Sequence, residues 1–197
     1  MKKVGLFFGT FNPVHIGHLA LAEYFQKYGD LNEVWLVVTP HNPDKKKSNL
    51  LQDRERLHLV HLALEDQHGL KVSAVEFELP QPNFTAQTLA YLREEHPNLA
   101  FSIIMGEDNL KTLHKWRNFE SIIDHHPILV YPRHPLPDET EAGNQWQQRF
   151  PDVSLVNAPK MEISASLIRR SFREGKGLRN LLPKAVFDYI EGSNMFQ

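Results

Sequence analysis

The 197-residue sequence contains no cysteine. A chain without thiols forms no disulfides, offers no thiolate to a metal and has no cysteine nucleophile. The sequence also lacks an apolar run of membrane-spanning length, and its first residues, MKKVGLFFG, lead into a predicted strand without the cleavage region of a signal peptide. These absences predict a protein that acts in the cytoplasm and does not enter a membrane.

The sequence also lacks a large excess of either positive or negative charge. The formal net charge is −2 at pH 7, so the chain lacks the positive field that favours nucleic acid, although a small basic site stays compatible with this balance. Charged residues at 23% and hydrophobic residues at 41% are typical of a soluble globular protein. The length suits one sizeable core and is short for two, so we predict a single domain over residues 1–197.

Strand and helix patterns alternate along the chain. Apolar or alternating runs rich in β-branched residues predict strands at 4–8, 33–39, 71–79, 100–105, 127–131 and 153–156. Helical periodicity predicts a first helix that ends at Gly29 and further helices at 52–68, 85–95, 164–174 and 183–191. This order predicts an α/β fold with a doubly wound, Rossmann-like parallel sheet and helices on both faces. Ligands of such sheets bind beyond the carboxyl ends of the strands, where the strand order reverses.

Local signals refine these helices. We predict Thr85 and Ser164 as helix caps and Pro183 as the first residue of the last helix. A short helix is predicted around Trp146, after a proline-rich loop. The predicted apolar face of the first helix consists of Leu21, Tyr24, Phe25 and Tyr28.

The stretch VGLFFGTFNPVHIGH, residues 4–18, carries the strongest functional pattern. An apolar strand runs into a tight turn with Gly9 and Pro13 and then into a helix N-terminus. Such a junction directs backbone N–H groups and the positive end of a helix dipole at one point, where an anion binds. His15 and His18 stand three residues apart, so both imidazoles lie on one side of the first helical turn. The pattern predicts a polyphosphate site.

Other interpretations of this stretch have less support. A plain turn with two half-buried histidines does not account for glycine, proline and both histidines at these offsets. A zinc site would need further ligands beside His15 and His18. The chain contains no cysteine, and no carboxylate lies at a suitable spacing from the two histidines. The dinucleotide fingerprint is absent because only Gly9 and Gly17 lie in the turn.

A second pattern, ISASLIRR at residues 163–170, lies far along the chain. Ser164 is suited to cap a helix whose first N–H groups would face an anion, with the Ser166 hydroxyl beside them. Arg169 follows on the same helix. Taken alone, the pattern fits equally well a capped helix with a solvent-exposed arginine.

Three shorter fragments lie between these two patterns. The fragment PNFTAQTL leads into a helix with Phe84 and Thr85 at its start. The fragment GEDNL places Gly106 and Asp108 after a buried strand, where carboxylates meet ribose hydroxyls. The dipeptide KW ends at Trp116. Each fragment alone has a plain explanation, as a cap, a helix-start acid or a core aromatic residue.

Together the motifs resemble a known family. GTFNPVHIGH matches the GxFxPxHxGH signature of the nucleotidyltransferase superfamily, and ISASLIR matches its ISxxxxR signature, which binds the triphosphate. PNFTAQTL, GEDNL and KW are similar to the bacterial nicotinate-nucleotide adenylyltransferases, and this resemblance spans nearly the whole chain. It implies transfer of AMP from ATP to nicotinate mononucleotide, which gives deamido-NAD and pyrophosphate, with magnesium as cofactor. The implied partners are these small molecules and no nucleic acid, and a homo-oligomer stays open.

The resemblance also implies roles for individual residues. The implied catalytic residues are His15, His18 and Arg169. The implied ATP-binding residues are Gly9, Thr10, Phe11, His15, His18, Gly106, Asp108, Ile163, Ser164, Ser166 and Arg169. The implied residues for the second substrate are Lys45, Phe84, Thr85, Asp108, Trp116, Arg117 and Arg133. No protein side chain is implied as a metal ligand.

The chain departs from the family pattern at several positions. Phe8 and Asn12 stand where a second glycine and an aspartate are common, so neither receives a role beyond loop shape. Arg117 follows Trp116 where an aromatic residue is frequent, and it either adds a cation near the substrate carboxylate or preserves a backbone contact. In the lysine run, Lys45 is the preferred contact for a phosphate. The alternative is that these lysines only form a solvated loop.

Other functions stay open from the sequence. A nicotinamide-mononucleotide or phosphopantetheine adenylyltransferase would differ only in the second substrate. A nucleotide-binding module without turnover is disfavoured by the intact His15, His18 and Arg169. An RNA-binding fragment related to class I aminoacyl-tRNA synthetases is disfavoured by the mild acidity and by the lack of an aromatic and basic surface series.

Overall fold

A parallel sheet of six strands runs through the centre of the computed structural model, which describes residues 1–40, 50–132 and 146–196. The strands are β1 (Lys2–Gly9), β2 (Glu33–Val38), β3 (Leu70–Ser73), β4 (Leu99–Gly106), β5 (Ile128–Tyr131) and β6 (Val153–Leu155). Their order is β3-β2-β1-β4-β5-β6, and every neighbouring pair is parallel. The order reverses between β1 and β4, as in Rossmann-type sheets. The predicted fold class is confirmed.

Helices cover both faces of this sheet. In chain order they are α1 (Ile16–Tyr28), α2 (Asp53–Leu64), α3 (Thr85–Glu95), α4 (Glu107–Thr112), α5 (Phe119–His125), α6 (Ala165–Arg173) and α7 (Lys184–Glu191). Side chains along a strand alternate between faces, so Phe7 of β1 joins the core under α1, α2, α6 and α7, and Leu6 joins the core under α3, α4 and α5. None of the described helices is long and apolar enough to cross a membrane.

Several local predictions are confirmed. Helix α3 has the predicted bounds, and Ser164 caps α6 by accepting a hydrogen bond from the backbone N–H of Leu167 at 3.2 Å. Residues 146–149 are helical, as predicted around Trp146. These signals are local, so neighbouring elements did not override them.

The predicted strand at 71–79 is wrong beyond Ser73. A polar and apolar alternation continues to Leu79, but Val75–Phe77 forms a 3₁₀ helix instead. This turn carries Glu76 into the interior, where its carboxylate accepts a hydrogen bond from the Thr88 hydroxyl at 2.8 Å. A contact with a distant helix therefore ends the strand.

Some predicted helix ends are also wrong. Tyr28 does not belong to the buried face of α1, because it is 72% exposed where the helix extends past the core. Helix α2 ends at Leu64, four residues before the predicted end. Thr85 is the first helical residue of α3 and Phe84 is the N-cap, while Pro183 takes the N-cap position of α7.

Arg56 of α2 is fully buried, with 0% of its surface exposed. Its guanidinium donates to the carbonyl oxygens of Thr10 at 2.6 Å, Thr39 at 2.9 Å and Pro40 at 3.1 Å, and it pairs with the Asp53 carboxylate at 2.7 Å. A buried guanidinium is tolerated only when its donors are satisfied. Because these acceptors follow β1 and β2, Arg56 fixes the two loops that leave the centre of the sheet.

We expect Arg56→Ala to lower the free energy of unfolding by about 3–5 kcal/mol, because it leaves buried carbonyls and a carboxylate without their cation. Urea denaturation measures this loss. Arg54→Ala, at an exposed position of the same helix, is the matched control and should change stability by less than about 0.5 kcal/mol. Equal losses in the two variants would contradict the role given to Arg56.

Candidate active site

The loop between β1 and α1 folds back over the end of the central strand. Phe11 has a left-handed backbone conformation with φ of 43°, and its ring lies directly on Gly9. A Cβ atom on Gly9 would lie 2.8 Å from Cζ of Phe11, so this approach requires glycine. The Phe11 ring also contacts His18, with ring centroids 5.0 Å apart. The packing fixes the direction in which the loop enters α1.

The two histidines at the start of α1 are stacked. The ring centroids of His15 and His18 are 3.7 Å apart, with 25° between the ring planes. His15 is the N-cap, and its backbone N–H donates to Nδ1 of His18 at 3.2 Å. Since Nδ1 is the acceptor, a neutral His18 carries its hydrogen on Nε2. Backbone geometry thus sets which ring nitrogen of His18 is the donor.

Helix α6 brings the second motif to the same place. Nη1 of Arg169 donates to the backbone carbonyl of Asn12 at 2.7 Å, although the two residues are 157 positions apart. Nη2 of Arg169 donates to the hydroxyl of Ser166 at 3.1 Å. Burial lowers the pKa of the Arg169 guanidinium, and the neighbouring charge of Arg173 acts in the same direction. A half-buried cation beside a second one favours the arrival of an anion.

Asn12 has a larger role than sequence reasoning gave it. Its side chain is 3% exposed, and its Oδ1 accepts the backbone N–H of Leu51 at 3.1 Å. Its carbonyl accepts Arg169 as described above. Asn12 therefore joins the first motif to α6 and to the segment before α2. Its position inside the first motif was the available signal, and the departure from the usual aspartate concealed it.

Both motifs line one cleft at the carboxyl ends of the central strands. Its volume is about 810 Å³, within the range of small-molecule sites. The predicted site residues in its wall are Gly9, Thr10, Phe11, His15, His18, Thr85, Gly106, Asp108, Trp116, Ile163, Ser164, Ser166 and Arg169. Phe84 and Arg117 lie beside this wall, and Lys45 and Arg133 fall outside the described residues.

Four helices begin in the wall of the cleft, and the first turns of three of them share one electrostatic property. Helices α1, α3 and α6 carry no acidic residue in the first turn. The positive ends of their dipoles are therefore not neutralised and favour anions. Helix α4, by contrast, begins with Glu107 and Asp108, and Asp108 lies in the wall. The cleft offers several places for anions and one carboxylate for hydroxyl groups.

The start of α3 faces an aromatic and cationic pair. Trp116 lies in the cleft wall at the end of a 3₁₀ helix, Leu113–Lys115. The next residue, Arg117, places its guanidinium carbon 4.9 Å from the ring centroid of Phe84, a cation–π contact. Because Phe84 is the N-cap of α3, this contact brings a cation beside the positive end of that helix.

Glu76 is a buried acid in the cleft wall that sequence reasoning missed. Burial raises the pKa of its carboxyl, and hydrogen bonds from Thr39 and Thr88 offset that effect only in part. Its position between polar and apolar neighbours in sequence resembles that of a solvent-facing strand residue. No local signal distinguished it from one.

A family model described as cytidylyltransferase-like matches residues 6–171. A probable nicotinate-nucleotide adenylyltransferase of Flavobacterium johnsoniae is 51% identical over 195 residues, which cover 99% of each chain. The corresponding protein of Bacteroides fragilis is 42% identical and covers 95% of this chain and 90% of its own. The fold and cleft thus define a nucleotidyltransferase of the cytidylyltransferase-like class.

Solved structures show the same fold. The nicotinic acid mononucleotide adenylyltransferase of Plasmodium falciparum, complexed with NaAD, superposes with a TM-score of 0.80 at 18% identity, over 100% of this chain and 98% of that one. The same enzyme complexed with APC gives a TM-score of 0.79. On its curated relatives, the chain belongs to the nicotinate-nucleotide adenylyltransferase family. The resemblance drawn from the motifs is confirmed.

We expect Gly17→Ala to weaken ATP binding about tenfold while the fold is kept. A Cβ atom there would lie 3.1 Å from Nδ1 of His15 and 3.5 Å from Cβ of Met161, so the stacked imidazole must move. Isothermal titration calorimetry with ATP measures the change. The control is Gly177→Ala, which lies outside the cleft wall. Its Cβ atom would lie 3.1 Å from the Phe172 ring, and the affinity for ATP should stay unchanged. An unchanged Kd for Gly17→Ala would contradict the importance of the stacked pair.

Proposed function

We propose that the chain transfers AMP from ATP to nicotinate mononucleotide, forming nicotinate adenine dinucleotide, which is deamido-NAD, and pyrophosphate. The observation that carries this proposal is the single cleft in which His15, His18 and Arg169 lie together although they come from distant segments. Relatives named for this reaction, at 51% identity over nearly the full length, support the choice of second substrate.

The reaction needs no general base from the protein. The attacking group is the phosphate of the mononucleotide, and the second pKa of such a monoester, about 6, leaves it mostly dianionic at neutral pH. One of its oxygens bonds to the α-phosphorus of ATP while the bond from that phosphorus to the bridging oxygen breaks, and pyrophosphate leaves. The protein has to hold two repelling anions in line and neutralise the developing charge.

The stacked histidines and Arg169 would supply this neutralisation. His18 would donate from Nε2 to the α-phosphate, because its Nδ1 is occupied by the backbone N–H of His15. Gly9 and Thr10 would add loop N–H groups next to it. Arg169, Ser166 and the first turn of α6 would bind the outer phosphates, which become the leaving pyrophosphate.

The remaining wall residues divide between the two nucleosides. Gly106 and Asp108 follow β4, where a carboxylate would accept hydrogen bonds from ribose hydroxyls. Phe11, Ile163 and Ser164 would complete the ATP subsite. These assignments place the adenosine at the switch point between β1 and β4.

The second substrate would lie between α3 and Trp116. The nicotinate ring would stack on the Trp116 indole, and its carboxylate would meet the backbone N–H groups at Thr85. Arg117, held on Phe84, would add a cation beside that carboxylate. A neutral carboxamide gains less at this positive helix end, so the arrangement favours the acid substrate. Lys45 stays the predicted contact of the substrate phosphate, and Arg133 stays a predicted contact of the second substrate.

Magnesium is expected to accompany ATP. Among the described residues, no group of three or more His, Cys, Asp or Glu side chains is placed to hold a metal ion. A magnesium ion that enters with ATP would neutralise part of the phosphate charge. We expect the reaction to occur in the cytoplasm without nucleic acid, and a homo-oligomer is compatible with it.

A substrate screen tests the proposal. With ATP present, pyrophosphate release should depend on an added acceptor, and kcat/KM for nicotinate mononucleotide should exceed that for nicotinamide mononucleotide at least about tenfold, the value of one charge-assisted contact. Phosphopantetheine should give no turnover. Comparable values for the two pyridine nucleotides would contradict the preference for the acid, and release without any acceptor would contradict the transfer itself.

His18→Ala should lower kcat by about 10²–10³, the usual effect of removing one preorganised donor at the transition state. Steady-state kinetics measures the loss, and circular dichroism should show an unchanged fold. His125→Ala, on α5 outside the cleft wall, is the matched control and should keep the wild-type rate. A near-wild-type kcat in His18→Ala would exclude the role given to this imidazole.

A further inference from the structure

Glu76 occupies a place in the cleft wall that the proposed reaction does not use. It lies in the 3₁₀ helix after β3, with 2% of its surface exposed. Oε1 accepts the Thr88 hydroxyl at 2.8 Å, and Oε2 has no hydrogen-bond partner within the described part of the chain. A buried carboxyl oxygen without a donor is costly when the group is charged and far less so when it carries a proton.

The contacts of Glu76 converge on the start of α3. Thr88 lies on the first turns of that helix and is itself fully buried. The backbone carbonyl of Glu76 accepts the side-chain amide of Asn83 at 2.8 Å, and Asn83 directly precedes the N-cap, Phe84. Glu76 thus ties the 3₁₀ helix to the start of α3.

No cation from the described residues compensates this acid. The influences on its carboxyl are burial and two threonine hydroxyls, and burial has the larger effect and raises its pKa. Other acids in the fold differ in this respect, since Glu33 pairs with Lys2 and Lys71 at 2.7 and 2.8 Å. The surroundings of Glu76 therefore suit the neutral acid.

We propose that Glu76 is a positioning residue that, as the neutral acid, holds the N-terminal turn of α3 in place to receive the pyridine carboxylate of the mononucleotide. This inference rests on the proposed function, because it names the part of the cleft that selects the acid substrate. An ionised carboxylate behind the same helix turn would repel the substrate carboxylate and would neutralise part of the positive charge at that helix end. Neutrality of Glu76 keeps that end of the helix available to an anion.

The test compares Glu76→Gln with Glu76→Ala. Glutamine is neutral and keeps an oxygen that accepts from Thr88, so KM for nicotinate mononucleotide should stay within about threefold of wild type. Alanine removes the tie, so that KM should rise about tenfold or more, while KM for ATP changes less than about twofold. The preference for nicotinate over nicotinamide mononucleotide should fall in the alanine variant and not in the glutamine variant.

Two further variants separate positioning from folding. Thr88→Val removes the hydroxyl that donates a hydrogen bond to Glu76. It should reproduce the KM increase for nicotinate mononucleotide, which keeps the proposal testable even if Glu76→Ala does not fold. Glu78→Ala, two residues along and exposed, is the matched control and should behave as wild type.

Two results would overturn the role of Glu76. One is equal impairment of the glutamine and alanine variants, which would mean that the charge is needed. The other is a parallel increase of KM for ATP and for both pyridine nucleotides in Glu76→Ala and Thr88→Val, which would indicate general loss of structure. A wild-type chain that adenylylates neither pyridine nucleotide would instead overturn the proposed function, so the two failures are distinguishable.

Discussion

The buried guanidinium of Arg56 is the interaction on which the site depends. It neutralises no ligand, yet its donors reach the carbonyls of Thr10, Thr39 and Pro40, the residues that follow β1 and β2. Parallel strands leave their carboxyl ends without pairing partners, and loops there have to satisfy their backbone groups in some other way. One arginine does so for both central loops at once.

A second guanidinium holds the same loop at another point. Arg56 of α2 donates a hydrogen bond to the carbonyl of Thr10. Arg169 of α6 donates one to the carbonyl of Asn12, two residues further on. The loop between them carries Phe11, whose ring covers Gly9 and contacts His18. Residues of two helices distant in sequence therefore hold the loop that leads into the stacked histidines. The position of the histidine pair and the folding of the sheet are consequently coupled.

Much of the fold follows from local chemistry. β-Branched apolar runs predicted the strands, and the Ser164 cap and the bounds of α3 were predicted because no remote contact alters them. The motifs predicted the wall of the cleft on both sides. Burial of Arg56 and Glu76 was not predictable, since an arginine on a helix and a glutamate in an alternating run look solvent-exposed until their partners are known. The short helices α4 and α5 were missed because each is too short to show a helical hydrophobic periodicity. Asn118, with φ of 55°, also separates α5 from the preceding turn.

The order of the strands has a consequence for how the site comes into being. Lys2 lies opposite Leu99 and Val4 opposite Glu33, so the central strand finds neither neighbour through a hairpin. Such high contact order means that the chain gains its pairings late and together. A partly folded chain would possess neither anion-binding end nor cleft, and nucleotide would recognise the completed sheet alone. A nucleotide that binds the native state alone would stabilise it by RT ln(1 + c/Kd), where c is the free nucleotide concentration, so it would act as a stabiliser of the fold as well as a substrate.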